Sequence, residues 1–140
     1  MFREDYLIRL IRQFAEALRK LAGLRERGEH TAALRTSGEL YDELTTVPRA
    51  MSDTLDTPTF AALLGSAEKQ RVMAMLFWEE GRIYTATGDP LTAAARYRRA
   101  HELFLEARAL EPGHPSDDSA ILELSRVAPA RDLAPRYRAR

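Results

Sequence analysis

The sequence predicts an all-α fold: two antiparallel helical hairpins closed by a short C-terminal capping helix. Three observations carry that expectation. Apolar residues recur at helical spacing over most of the chain, glycines and prolines punctuate those stretches, and a hairpin-like segment recurs at an offset of sixty residues. At 140 residues, 45% of them hydrophobic, the chain is long enough for one core and too apolar for disorder. Residues 1–129 read as a single helical domain and residues 130–140 as an Arg-rich tail.

Residues 4 to about 27 form the first predicted helix. Leu7, Leu10, Phe14, Ala17, Leu21 and Leu24 keep a/d spacing, and Ile8, Ile11, Ala15 and Leu18 widen the stripe beyond it. So wide a stripe exceeds what one partner helix covers. Two readings follow: a helix packed between two neighbours of its own chain, or one whose edge meets a second subunit. The candidate interface is Leu7, Phe14 and Leu21 on one edge, or Ile8, Ile11 and Leu18 on the other, and the expected assembly is a homodimer.

Gly28-Glu29-His30 breaks that helix, and Thr31 to about Thr46 makes the next, with Leu34, Leu40, Tyr41 and Leu44 as its apolar positions. Residues 47–58, VPRAMSDTLDTP, read as a loop bracketed by Pro48 and Pro58. Thr57-Pro58 then resembles a cap and first turn before Phe60, Leu63 and Leu64, and Gly65-Ser66 ends or kinks the short helix. The central stretch, Leu76 to Pro112, carries its own turn. Gly88 suits the left-handed end of a helix, Asp89 suits an N-cap, and Pro90 falls where a missing N–H costs nothing. Ala93, Tyr97, Ala100, Phe104 and Ala107 form the apolar stripe after it. Ser116 with Asp117 and Asp118 begins a last helix that Pro129 stops, and the few apolar residues of the tail are expected to bury little, so that its deletion leaves the fold intact.

Gly81-x-x-Tyr84 followed by Ala93-x-x-x-Tyr97 resembles the tetratricopeptide (TPR) pattern, with Phe77 at its Trp position. Glu80 replaces the pattern's Leu, and Pro112 comes seven residues, or two helical turns, late. Phe77, Gly81, Tyr84, Gly88, Ala93, Tyr97 and Ala100 are thus the expected hairpin positions. Gly28 to Ala33 repeats the spacing of Gly88 to Ala93, with Leu24 at the place of Tyr84. The order EDYLIRLIRQFAEALRKLAGL, Leu-rich second helix, WEEGRIY and ELFLEARALEP resembles a bacterial family of TPR-like domains of unknown function over nearly the whole chain. That resemblance implies helical hairpins and no established activity or catalytic residues. The tail, with Tyr137 alone among arginines, departs from the more aromatic ending of that family.

Lys+Arg and Asp+Glu both number 21, which removes any global pull towards nucleic acid or anionic membrane. Lys20 and Lys69 are the only lysines and asparagine is absent, as GC-rich coding produces. Cysteine is absent, the opening Met-Phe-Arg-Glu-Asp lacks the apolar run of a signal peptide, and the longest apolar run, Val72 to Trp78, is too short to span a bilayer; a cytoplasmic protein is expected. No HExxH, GxSxG, P-loop or dinucleotide fingerprint is present, so neither a cofactor nor an enzyme activity is expected. Glu79 is expected to be solvated and Glu80 to reach Arg82, Tyr84 or a neighbouring helix. Within the Arg96, Arg98 and Arg99 cluster, Arg98 and Arg99 are expected to lie within reach of Glu102 and Glu106, so that charge pairs consume much of it. The leading functional reading is therefore a non-enzymatic protein-interaction or self-assembly module. The alternatives are nucleic-acid binding through the tail and the Arg96–Arg99 face, and a small-molecule site near Trp78, Tyr84 and Tyr97.

Overall fold

In the computed structural model, which describes residues 2–138, every regular element is helical. The first hairpin is α1 (Phe2–Glu26) with α2 (His30–Leu44), and the second is α5 (Ala67–Ala86) with α6 (Pro90–Leu110). Between them lie a single turn of helix, α3 (Arg49–Ser52), and α4 (Thr57–Leu64). α7 (Asp117–Val127) and two 3₁₀ turns, Ala130–Asp132 and Pro135–Tyr137, complete the described chain. The region read as a loop thus contains helical turn α3. The cap of α4 is Asp56, whose side chain accepts from the Thr59 N–H, and not Thr57, which is buried inside the helix.

The two hairpin turns have the same backbone structure. Gly28 and Gly88 adopt φ of 76° and 81°, the left-handed conformation that a Cβ disfavours. Glu29 N–H donates to Leu24 O as Asp89 N–H does to Tyr84 O, and Gly28 N–H donates to Arg25 O as Gly88 N–H does to Thr85 O. These paired bonds are a Schellman motif. Ala33 and Ala93 follow at equal distance and are both buried. The sixty-residue offset in sequence is therefore an offset in hydrogen bonding too.

α5 is the central helix, packed against α1, α2, α4 and α6. Most of its circumference is buried, which the apolar run Val72–Phe77 requires. The core joins Phe14, Leu18 and Leu21 of α1 to Tyr41 and Leu44 of α2, Phe60 of α4, and Met73, Leu76 and Phe77 of α5. At its centre the rings of Tyr41, Phe60 and Phe77 stack with centroids 6.1 to 6.3 Å apart. The candidate interface is corrected here. Phe14, Leu18 and Leu21 are 2, 7 and 0% exposed, so residues from both proposed edges point into the chain's own core. α1 has two covering neighbours, α2 and α5, and its stripe is wide for that reason.

The tail also differs from expectation. Leu133 and Tyr137 are each 1% exposed and pack with Leu105 of α6, Ile121 of α7 and Ala134. The Tyr137 hydroxyl donates to Glu106 at 2.6 Å and the Ala134 N–H donates to Glu102 at 2.8 Å. Two apolar side chains suffice to dock this segment because carboxylates on α6, buried Glu102 and half-buried Glu106, accept its donors. Burial first, and the Glu106 carboxylate second, push the Tyr137 phenol well above its ordinary pKa.

Candidate functional site

The predicted hairpin positions gather where α5 and α6 cross. A Cβ on Gly81 would stand 2.5 Å from Cε1 and 2.6 Å from Cδ1 of Tyr97, so the ring of α6 lies directly on the backbone of α5. Thr85 Oγ1 holds the Tyr97 hydroxyl at 3.1 Å. Ala93 and Ala100 are buried on α6, Phe77 is buried in the aromatic stack, and Tyr84 is half-buried beneath the Arg96 guanidinium. Gly88 stands in the turn, exposed, and contributes only its backbone conformation.

Next to this crossing, Glu79 and Glu80 point in different directions, as adjacent helix residues must. Glu79 is not solvated. It is buried and accepts from Arg25 of α1 at 2.9 Å and from Arg82 at 2.7 Å. Glu80 is buried and accepts from the Ser37 hydroxyl of α2 and from both terminal nitrogens of Arg49, with Arg96 beside it. Glu80 thus reaches a neighbouring helix and the α3 turn, and neither Arg82 nor Tyr84. The Arg49 guanidinium covers the Tyr41 and Phe77 rings at 4.7 and 4.9 Å from their centroids. Its pKa is raised despite burial, because Glu80 accepts from it.

The arginines of α6 do not pair with Glu102 and Glu106. Those carboxylates hold Thr57 and the tail. Arg99 Nη2 instead donates to the Ser52 and Leu55 carbonyls, at 3.1 and 2.7 Å, and fixes the α3–α4 connection. Arg96 reaches Asp53 at 3.4 Å and stands over the Phe77 ring. Its Nε lies 3.1 Å from Glu80 but out of line for a hydrogen bond. Arg98 is exposed. Between α6 and the α3 turn these side chains line a concave space of about 390 Å³.

A second concavity, about 320 Å³, opens between α1, α5 and α7. Its apolar lining is Ile11, Val72, Met75, Trp78, Phe104 and Ala120, with Glu68 and Glu123 among its polar residues. α7 is held at this cleft by charge. Arg71 of α5 donates from Nε and Nη2 to the two oxygens of Asp117, at 2.9 and 3.0 Å, and from Nη2 to the Glu111 carbonyl at 2.9 Å. Of the candidate interface, Ile11 lines the cleft, Leu7 is half-buried, and Ile8, one turn before Ile11, is 45% exposed. Trp78 lies in the cleft, but Tyr84 and Tyr97 do not, so the three aromatics proposed for one small-molecule site are split. The Arg82 guanidinium covers the Trp78 ring at 4.7 Å.

Sequence reasoning missed Arg49, Arg71 and Ser37, and placed Asp117 only at the start of a helix. Arg71 carried a signal, since it shares a helical face with Ala74 and Trp78 and lies beside an otherwise apolar run. His101 is buried with Nδ1 2.8 Å from the Ala128 carbonyl, and burial lowers its pKa. No cluster of three or more metal-ligating side chains occurs among the described residues, and no described helix is long and apolar enough to cross a membrane. No family model, curated protein or solved structure matches the chain.

Proposed function

We propose that the chain is a TPR-like, non-enzymatic assembly module that pairs with a second copy of itself through the α1–α5–α7 cleft. The apolar cleft carries this reading: Ile11, Val72, Met75 and Trp78 line it, and Met75 and Ile8 remain 41 and 45% exposed. Charge complementarity favours a second copy as the occupant. Arg9 and Arg12, both exposed, flank Ile8 on α1, while Glu68 and Glu123 stand at the cleft. A twofold axis that lays the N-terminal half of one α1 against the other cleft brings unlike charges together twice. The TPR-like assignment is supported by the repeated Schellman turns and by the Gly81–Tyr97 contact between the hairpin helices.

Light scattering across the micromolar range tests the pairing. The wild type is expected at twice the chain mass of 15.8 kDa, and Met75→Asp or Ile8→Asp at the monomer mass with unchanged helicity. A wild type that stays monomeric overturns the proposal. The small-molecule reading retains one supporting observation, Trp78 in a cleft of ligand-sized volume, and predicts ligand-dependent Trp78 fluorescence in a monomer. The nucleic-acid reading loses support because Arg96 and Arg99 are only half-exposed against the α3–α4 connection and the tail is docked on α6.

A further inference from the structure

The concave space between α6 and the α3 turn shares no lining residue with the cleft. Its walls are Ser52 and Asp53 on one side and Leu91, Thr92, Ala95, Arg96, Arg98 and Arg99 on the other. Three guanidiniums and one carboxylate leave its lining with a net charge of +2 (three positive less one negative). The carboxylate is a poor neutraliser: the Asp53 side chain is 64% exposed and its bond to Arg96 is long, at 3.4 Å. Glu80, beneath the pocket, is held by both terminal nitrogens of Arg49. Donor capacity is left over. Arg99 Nη1 is buried without a hydrogen-bond partner, and Arg98 has no ion pair among the described residues.

A buried guanidinium N–H without an acceptor is costly, and an oxyanion removes that cost where the Arg99 side chain turns to meet it. Burial lowers the pKa of Arg99, with nearby Glu102 only partly opposing it, which is the direction for a cation short of counter-charge. A tetrahedral dianion matches this lining better than a planar carboxylate does. Its charge balances that of the pocket, and it presents enough oxygens for donors on three separate side chains.

We propose that this pocket binds the dianionic phosphate of a small phosphomonoester. The exposed Leu91 and Ala95 at its edge then face the organic part of the ligand. A small ligand fits better than a nucleic-acid strand, because Phe77 is buried and offers no stacking face, and Arg98 alone of the three arginines is exposed.

Phosphorus NMR titration of the full chain with phenyl phosphate, at constant ionic strength, tests the proposal. Saturable binding is expected near neutral pH, with about tenfold weaker binding near pH 5, where a monoester with a second pKa of about 6 is mostly monoanionic. Sulfate, a dianion at both pH values, is expected to compete equally at both. Arg98→Ala should weaken binding at least about fivefold and Asp53→Asn should tighten it, both with unchanged circular dichroism, since each position is exposed. Absence of saturable phosphate binding, or an affinity indifferent to both substitutions, overturns the site. A short oligonucleotide that outcompetes phenyl phosphate with a steep salt dependence overturns the assignment to a small ligand.

Discussion

Gly81 offers a prediction whose sign depends on one neighbour. In an open helical site, Gly→Ala stabilises by about 1 kcal/mol, because alanine has less backbone entropy to lose. At Gly81 the new methyl would stand 2.5 Å from the Tyr97 ring, a full ångström inside ordinary carbon contact. The ring can retreat only by leaving the helix crossing and its 3.1 Å contact with Thr85. Overpacking of this kind costs about 1–3 kcal/mol, so Gly81→Ala should be neutral to about 2 kcal/mol destabilising, and Gly81→Leu worse. In a Tyr97→Ala background the obstruction is gone and the same substitution should stabilise by about 1 kcal/mol. The coupling energy from urea denaturation of all four proteins should then be about 1–3 kcal/mol. A Gly81→Ala variant more stable than the wild type would refute the reasoning, for it would show the Tyr97 ring absent from that face. Equal destabilisation in both backgrounds would assign the clash to another neighbour.

Two further outcomes follow from the C-terminal half. Tyr137→Ala should cost about 3–5 kcal/mol in urea denaturation, as loss of a buried aromatic does, whereas Tyr137→Phe should lose only the bond to Glu106, about 1.5–3 kcal/mol. His101 is held neutral by burial, so its folded pKa lies below its unfolded value near 6.5. Its contribution to stability is complete above that value and is lost as pH falls from there through the folded pKa; melting temperatures between about pH 7.5 and 5 should fall accordingly, and less steeply in His101→Gln.

Helix existence, both hairpin turns and the crossing at Gly81 were legible in the sequence, because each rests on local chemistry. Gly88-Asp89-Pro90 states a helix end, a cap and a first turn within three residues, and the structure has all three. What was not legible depends on pairs far apart in the chain. Arg49 lies thirty-one residues from Glu80, Arg71 forty-six from Asp117, and Tyr137 thirty-one from Glu106. A helix-surface rule pairs Arg98 and Arg99 with Glu102 and Glu106 because it considers only neighbours three or four residues away. The rule failed because α4 and the tail arrive at the same surface, where buried Glu102 and half-buried Glu106 accept from their donors in place of weak local pairs. The tail was misjudged for a related reason. Counting its apolar residues ignored that Leu133 and Tyr137 need only a small recess once Glu102 and Glu106 orient the backbone and hydroxyl.

The same distribution of contacts explains why the proposed assembly surface lies on α1 and not elsewhere. A stack of helical hairpins exposes an apolar face at each end unless something covers it. At the second hairpin that role falls to α7 and the tail, which bring Leu124, Leu133 and Tyr137 against the α5–α6 pair and its flank. Arg71–Asp117 and Tyr137–Glu106 hold this cover with charge-assisted bonds, so it is part of the fold and not a mobile appendage. The first hairpin has no equivalent cover among the described residues. Tyr6 and Ile8 are 55 and 45% exposed, and Leu7 and Ile11 are half-buried beside them. An apolar strip on one helix, next to a cleft with the complementary charges, suits the proposed twofold contact. Covering it with a second chain would do for the first hairpin what α7 does for the second, and Ile8→Asp separates the two covers: it should abolish pairing while leaving α7 and the tail in place.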